Sequence, residues 1–297
     1  MIIADKSPAE KRADFRKAID SGRLLQMPGA YNPMVAMLIE QTGFDGVYVS
    51  GAVMANSLGL PDIGMTTLTE VSQTAASIAR VTSLPTIMDI DTGFGETMSV
   101  ARTIKELIYL GLAGCHIEDQ VNPKRCGHLD NKELVSTSDM AKKVKAAADA
   151  KTDPNFVLIA RTDARGVEGL DAAIDRAKAY VDAGADMIFP EAMANESEFE
   201  AFRKAINVPL LANMTEFGKS RLLNKSELEN LGYNLVIYPV TTQRLAMKAV
   251  EDGLAVIKSA GSQESMLDKM QTRSRLYEVL DYEGYNQYDS ALYNFKL

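Results

Sequence analysis

LPTIMDID (84–91) and AGCHIED (113–119) are two short apolar runs, each closing on carboxylates, with an amphipathic stretch between them. Residues two apart in a strand share a face. Asp89 and Asp91 therefore share one face of the first run, and His116 and Glu118 share one face of the second. Apolar run, helical pattern, apolar run is the signature of a parallel strand–helix–strand unit.

The pattern recurs on both sides of this unit. LLQMPGA (24–30) and GVYVSG (46–51) precede it; FVLIART (156–162), MIFPEA (187–192), PLLANM (209–214) and NLVIYPV (234–240) follow. Amphipathic segments such as DAAIDRAKAYVDAG (171–184) separate them. Eight such units predict an α/β fold, a (β/α)₈ TIM-type barrel in a single domain over 1–297. A doubly wound open sheet is the alternative, but its phosphate-binding G-x-G-x-x-G turn is absent. Tyr48 pairs with Ser50, Arg161 with Asp163 and Phe189 with Glu191 in the same period-two manner, and Asn213 closes the seventh run. These groups fall at the C-terminal ends of the strands, where barrel active sites are built.

The net charge of −8 speaks against general nucleic-acid binding, which needs a basic face. It leaves room for an anionic substrate held by a few local cations. No run has the length of a signal peptide core or a membrane span, so neither secretion nor a membrane is expected. Two cysteines, Cys115 and Cys126, imply no disulfide framework and suit a reducing cytoplasm. With only His116 and His128, a His-rich metal site is excluded.

After the eighth run a helix is predicted near 242–260, stopped by Gly261. A second helix is expected to carry Met266, Met270, Tyr277 and Leu280, followed by Tyr282, Tyr285, Tyr288, Tyr293 and Phe295. This surplus apolar face over about 242–297 is expected to cover a neighbouring subunit. Packing across the bottom of its own barrel is the alternative.

Asp89, Asp91 and Glu118 put three hard oxygen donors at adjacent strand ends, which suits Mg²⁺ or Mn²⁺. Without a cation they would repel one another. The loop DQVNPKRCGHLDNKELV (119–135) gathers Lys124, Arg125, Cys126, Gly127 and His128. Cations beside Cys126 are expected to lower its thiol pKa and make it a proton donor and acceptor near neutral pH. Cys115, on the opposite strand face from His116, reads as inert packing. Arg161 offers a two-point fork for a carboxylate, with Asp163 or Glu191 as alternative partners. Backbone N–H groups at Ser50 and Gly51 are expected to hold a second carboxylate, and Asn213 and Thr215 add neutral donors. His116 is open between a hydrogen-bonding core residue and a catalytic one.

KRCGH (124–128) resembles the loop signature of the isocitrate lyase and phosphoenolpyruvate mutase superfamily. YVSG (48–51), SLGLPDIG (57–64), DIDTGFG (89–95), HIEDQ (116–120), ARTDA (160–164), FPEA (189–192) and LANMTEFG (211–218) are similar to its 2-methylisocitrate lyase branch. One departure is Gly51-Ala52-Val53, where the family often has a glycine run. The resemblance implies a homotetramer whose last helix swaps between subunits. It implies Mg²⁺ (with Mn²⁺ as substitute) beside Asp91, with Asp89 and Glu118 holding its waters and Asp62 nearby. It places Ser50, Gly51, Lys124, Arg125, Gly127, His128, Arg161, Phe189, Glu191, Asn213 and Thr215 around a small tricarboxylate, and makes Cys126 the proton donor.

The implied reaction is carbon–carbon cleavage of 2-methylisocitrate to pyruvate and succinate, in the methylcitrate route of propionate catabolism. Tyr48, through a lowered pKa, is the first candidate for the base that deprotonates the hydroxyl. Isocitrate cleavage, phosphonate mutation and oxaloacetate cleavage are the related alternatives, and a non-catalytic scaffold the unrelated one. The unbroken acidic cluster and loop motif speak against the scaffold.

Overall fold

The computed structural model describes residues 5–128 and 131–295. The strands are β1 (Leu25–Pro28), β2 (Val47–Val49), β3 (Thr86–Asp89), β4 (Gly114–Glu118), β5 (Val157–Thr162), β6 (Met187–Pro190), β7 (Leu211–Asn213) and β8 (Leu235–Tyr238). One falls inside each of the eight apolar runs. The helices are α1 (Pro8–Asp20), α2 (Pro33–Thr42), α3 (Gly51–Ser57), α4 (Leu68–Arg80), α5 (Thr97–Tyr109), α6 (Thr137–Asp149), α7 (Leu170–Asp182), α8 (Glu196–Ala205), α9 (Lys225–Asn230), α10 (Thr241–Ala260), α11 (Arg273–Val279) and α12 (Tyr282–Tyr293).

All strand pairs are parallel. The ladder β2-β3-β4-β5-β6 meets β7-β8-β1 through the bridges Ile188↔Leu210 and Gly29↔Tyr48. Those two bridges close the ring, as the alternation of runs predicts. Local chemistry sets the helix starts. Ser7 with Glu10, and Thr67 with Glu70, form capping boxes on α1 and α4, satisfying backbone donors that a helix start leaves free.

Two cores follow from the strand period. Side chains pointing inward, among them Met27, Ile87, Ile159, Met187 and Leu235, fill the barrel. Those pointing outward pack under the helices. Phe15 and Ile19 of α1 join the inner set and close its N-terminal end. Arg12 ties α1 there, donating to the carbonyls of Ile108 and Leu112 and pairing with Asp153 at 2.5 Å.

The C-terminal extension departs from expectation in the continuity of its second helix. Gly261 stops α10 in the left-handed region, as predicted. The second helix is instead two pieces, a 3₁₀ turn at Glu264–Lys269 and α11, and the tail beyond it forms α12. Met270 takes an extended backbone and Thr272 caps a new start, so a continuous helix through 266–280 is broken between them. The alternative, packing across the bottom of its own barrel, is not taken, because α1 is already there. Leu245, Met247, Val250, Leu254 and Ile257 of α10 stay exposed, as do Tyr282, Tyr288, Tyr293 and Phe295 beyond it. A 650 Å³ apolar groove lies open beside β1 and β8, floored by Pro28, Val35, Leu38, Ile39 and Phe44. The last two positions of the 242–297 extension lie outside the described residues.

If Phe15 plugs the barrel, Phe15→Ala lowers the unfolding free energy by roughly 3–5 kcal/mol. Denaturant unfolding checks this, and a loss below about 1 kcal/mol would remove α1 from the core.

Candidate active site

The acidic cluster forms at the mouth as the strand ends predict. Asp89 ends β3, and its Oδ1 accepts the Asp91 N–H at 2.9 Å. That bond turns Asp91 into the left-handed region, φ 48°, which Asp tolerates better than most residues. Asp89 Oδ2 accepts the Gly51 N–H at 3.1 Å. A Cβ at Gly51 would sit 2.9 Å from Asp89 Oδ2 and 3.0 Å from Asp91 Oδ1, so only glycine lets α3 approach this closely. The Gly51 N–H expected to bind a substrate carboxylate is thus engaged by Asp89. Ser50, the cap residue of α3, makes no side-chain capping bond and faces the cavity.

One cation enters this cluster. Lys124 Nζ lies 2.5 Å from Asp62 Oδ1 and 2.9 Å from Asp91 Oδ1, and its side chain is only 3% exposed. Burial pulls the ammonium down, but the combined field of Glu118, Asp91, Asp89 and Asp62 outweighs it and holds Lys124 charged. Burial pushes Asp91 up to about 6, with Lys124 opposing, and pushes Glu118 well above the usual carboxylate range. Both Glu118 oxygens are buried without a hydrogen bond; Arg161 Nε is the nearest cation, at 3.3 Å from Oε2. Carboxylate oxygens this dry and this poorly answered fit a further cation. Among the described residues no group of three acidic, histidine or cysteine side chains is placed to hold a metal ion.

Arg161, at the end of β5, is forked onto Asp163 at 2.9 and 3.1 Å. Its Nη2 lies 3.6 Å from Glu191, and the guanidinium stands over the Phe189 ring at 5.1 Å. The anticipated ion pairs are present, and the residue still lines the cavity. Glu191 also meets His128 Nε2 at 3.2 Å and Asn213 Nδ2 at 3.3 Å. Together Tyr48, Ser50, Asp62, Asp89, Lys124, Cys126, Gly127, His128, Arg161, Phe189, Glu191, Asn213 and Thr215 enclose one 280 Å³ cavity.

Three expectations change. Cys126 is half-buried, and burial pushes its thiol up despite the His128 N–H and Arg161 acting the other way. Lys124 and Arg125 do not lower it, because Lys124 is drawn into the acidic cluster and Arg125 is exposed. Arg125 does not line the cavity: the Gln120 amide clamps its backbone, accepting its N–H and donating to its carbonyl, both at 2.9 Å. Tyr48 is not an acidified phenol. Burial and the Asp89 charge raise it well above its ordinary value.

The Tyr48 hydroxyl sits 2.7 Å from His116 Nε2, and burial pushes His116 down to about 3, so the pair is neutral. His116 Nδ1 faces Asp89 Oδ1 at 3.6 Å. A proton on Nδ1 leaves Nε2 to accept from Tyr48. Cys115 is fully buried, as expected of packing.

Sequence reading missed the support behind Arg161. Lys132 donates to Asp163 at 2.9 Å, and Asp119 accepts from Thr162, Tyr180 and the Asp163 N–H. It also missed Asn56, Gln243 and Arg244 in the cavity wall. Nothing in the spacing of these residues marks them, since they meet only through the fold.

A barrel with a buried acidic cluster, a guanidinium fork and a thiol at its C-terminal mouth is a family of enzymes rather than one. The chain belongs to the phosphoenolpyruvate phosphomutase family, whose model matches residues 15–258. Within it, the chain is 60% identical to "Probable 2-methylisocitrate lyase 1" of Corynebacterium glutamicum, over 96% of this chain and 94% of that protein. It is 49% identical to the 2-methylisocitrate lyase of Shewanella oneidensis, over 91% and 93%. Among solved structures, an oxaloacetate acetylhydrolase bound to 3,3-difluorooxalacetate superposes with a TM-score of 0.89 at 32% identity, covering 98% of this chain and 99% of that one. A phosphonopyruvate hydrolase with oxalate and Mg²⁺ gives 0.86 at 31%, covering 94% and 98%.

Iodoacetamide applied to the native protein should modify Cys126 and spare buried Cys115, as read by peptide mass spectrometry. Because the Cys126 thiol is pushed up, modification should be slow at pH 7 and still accelerating above about pH 8.5. A rate that levels off below pH 7 would contradict this burial of the thiol.

Proposed function

We propose that this chain is a magnesium-dependent carbon–carbon lyase that cleaves 2-methylisocitrate to pyruvate and succinate. The observation that carries the reading is the cavity itself, which the Cys126 thiol, the Arg161 guanidinium and the Asp62 and Asp89 carboxylates line together, with Asp91 and Glu118 buried beside it. Relatives at 60% and 49% identity that carry the 2-methylisocitrate lyase name support it. Structural neighbours acting on oxaloacetate and phosphonopyruvate share the barrel at 32% and 31% identity, a more distant likeness.

In this reading Asp91 would hold Mg²⁺, with Asp89 and Glu118 gripping its waters and Asp62 beside it. When bound, the ion supplies positive charge that eases loss of the substrate hydroxyl proton to solvent water and steadies the forming keto acid. Arg161 takes a substrate carboxylate, keeping Asp163 as its brace. Ser50, Lys124, His128, Glu191, Asn213 and Thr215 orient the remaining oxygens, and Phe189 packs against the apolar part. Gly51 and Gly127 contribute close backbone approach. Tyr48, its O–H given to His116, turns an oxygen lone pair to the cavity and orients the substrate hydroxyl.

Breaking the carbon–carbon bond leaves an electron pair beside a succinate carboxylate. Cys126 donates its S–H proton to that carbon. Burial that keeps the thiol protonated serves a proton donor better than the acidified thiol suggested by its neighbours.

Selection against isocitrate, which lacks one methyl group, is worth about 1–3 kcal/mol in a pocket of this kind. Two free thiols and a soluble small substrate fit a cytoplasmic enzyme. No described helix is long and apolar enough to cross a membrane. The assembly in this proposal is a tetramer in which α10 is exchanged between subunits. The open groove beside β1 and β8 and the bare face of α10 support it.

Assay of pyruvate and succinate release tests the activity. Chelation should abolish it and added Mg²⁺ restore it; full turnover in metal-stripped protein would refute the metal role. Cys126→Ser should lose about 10²–10⁴-fold in turnover while retaining ligand binding, and Cys115→Ser should change stability alone. Light scattering at micromolar concentration should give four copies, and a stable monomer would refute the exchange.

A further inference from the structure

Lys132 has no place in the cavity wall, yet its ammonium is buried in the most tightly connected part of the site. It donates to the Gly127 carbonyl at 2.5 Å and to Asp163 Oδ1 at 2.9 Å. The same carboxylate accepts both arms of the Arg161 fork. Asp163 is itself fixed, its N–H donating to Asp119 Oδ1 at 2.9 Å. One carboxylate thus joins a lysine from the loop to the guanidinium of β5.

The point where Lys132 grips the loop is specific. Gly127 follows Cys126, and a Cβ there would lie 2.3 Å from Arg161 Nη2 and from Glu191 Oε1. The turn is therefore pressed directly onto the groups that line the cavity. Other anchors hold the loop elsewhere. Val121 and Val135 pair with the carbonyls of Glu133 and Asp119 at its base, Gln120 clamps Arg125, and His128 Nδ1 accepts the Lys219 N–H. Lys132 supplies the hydrogen bond on the carbonyl next to Cys126. Burying an ammonium is costly unless anions and acceptors satisfy it, and here one of each does.

We propose that Lys132 is a positioning residue for the proton donor: it ties the Gly127 carbonyl to Asp163, so the Cys126 thiol and the Arg161 fork are set by one shared carboxylate. This rests on the role of Cys126 proposed above. A misplacement of about 1 Å in a reacting group costs on the order of 10²-fold in rate. Lys132→Met should therefore lower kcat by about 10–100-fold, with KM for 2-methylisocitrate held within about threefold. Lys132→Gln, which keeps a donor for the carbonyl but no charge, should fall between.

The test compares kcat, KM and the rate of Cys126 alkylation by iodoacetamide in the full-length wild type, Lys132→Met and Lys132→Gln. Lower kcat at constant KM, with faster alkylation as the turn loosens, supports the proposal. Wild-type kcat in Lys132→Met overturns it. So does a fall in kcat with unchanged alkylation, which would put the effect at Arg161 instead. If Lys132→Met does not fold, Lys132→Gln is judged by the same pair of readings. Wild-type protein that fails to cleave 2-methylisocitrate would sink the lyase reading, whereas the alkylation comparison reports on the tether without any substrate.

Discussion

Carboxylates of like charge, nearly dry, crowd the C-terminal mouth of this barrel. Asp89, Asp91 and Glu118 lie 6%, 6% and 1% exposed, and a charge taken out of water is costly unless it is answered. Lys124 and a share of Arg161 are the cations that reach them. The rest of the site follows from that imbalance. Asp89 recruits the N–H groups of Gly51 and Asp91, which fixes the start of α3 and bends the chain after β3. Lys124 is drawn inward, and the loop that carries it comes with it. In the proposed function, a hydrated Mg²⁺ would meet the cation deficit at Glu118.

Loop docking is thus coupled to charge at one end and to a tight steric fit at the other. Lys124 enters the acidic cluster while Gly127 lies against Arg161 and Glu191. Between them stands Cys126, half-buried in consequence. Its environment favours the thiol over the thiolate, which is the state a proton donor needs before bond cleavage. The neutral Tyr48–His116 pair on β2 and β4 keeps further charge out of a crowded mouth.

The strands and the acidic residues were legible because they depend on a local rule. Period two puts Asp89 with Asp91 and His116 with Glu118 on one face, whatever the rest of the chain does. The Cys126 environment was not, because adjacency in sequence is not adjacency in space: Lys124 turns to Asp62, and Arg125 to solvent. Period two pairs Arg161 with Asp163, but Lys132 reaches Asp163 from a different element, and no spacing announces that contact. Tyr48 was placed correctly at its strand end, but its titration depends on burial that only packing reveals. In the C-terminal extension the apolar spacing of Met266, Met270, Tyr277 and Leu280 mimicked one helix, and the extended backbone at Met270 divides it.

Proton delivery from Cys126 to the carbon left by bond cleavage is the central claim, and isotope incorporation reads it directly. The reaction is run in D₂O, and the products are examined by mass spectrometry and NMR. Succinate should carry one deuterium, placed on a single face of one methylene, and pyruvate should leave with its methyl group unlabelled. Succinate without deuterium, or with label scattered over both faces, would contradict a single positioned donor at the barrel mouth.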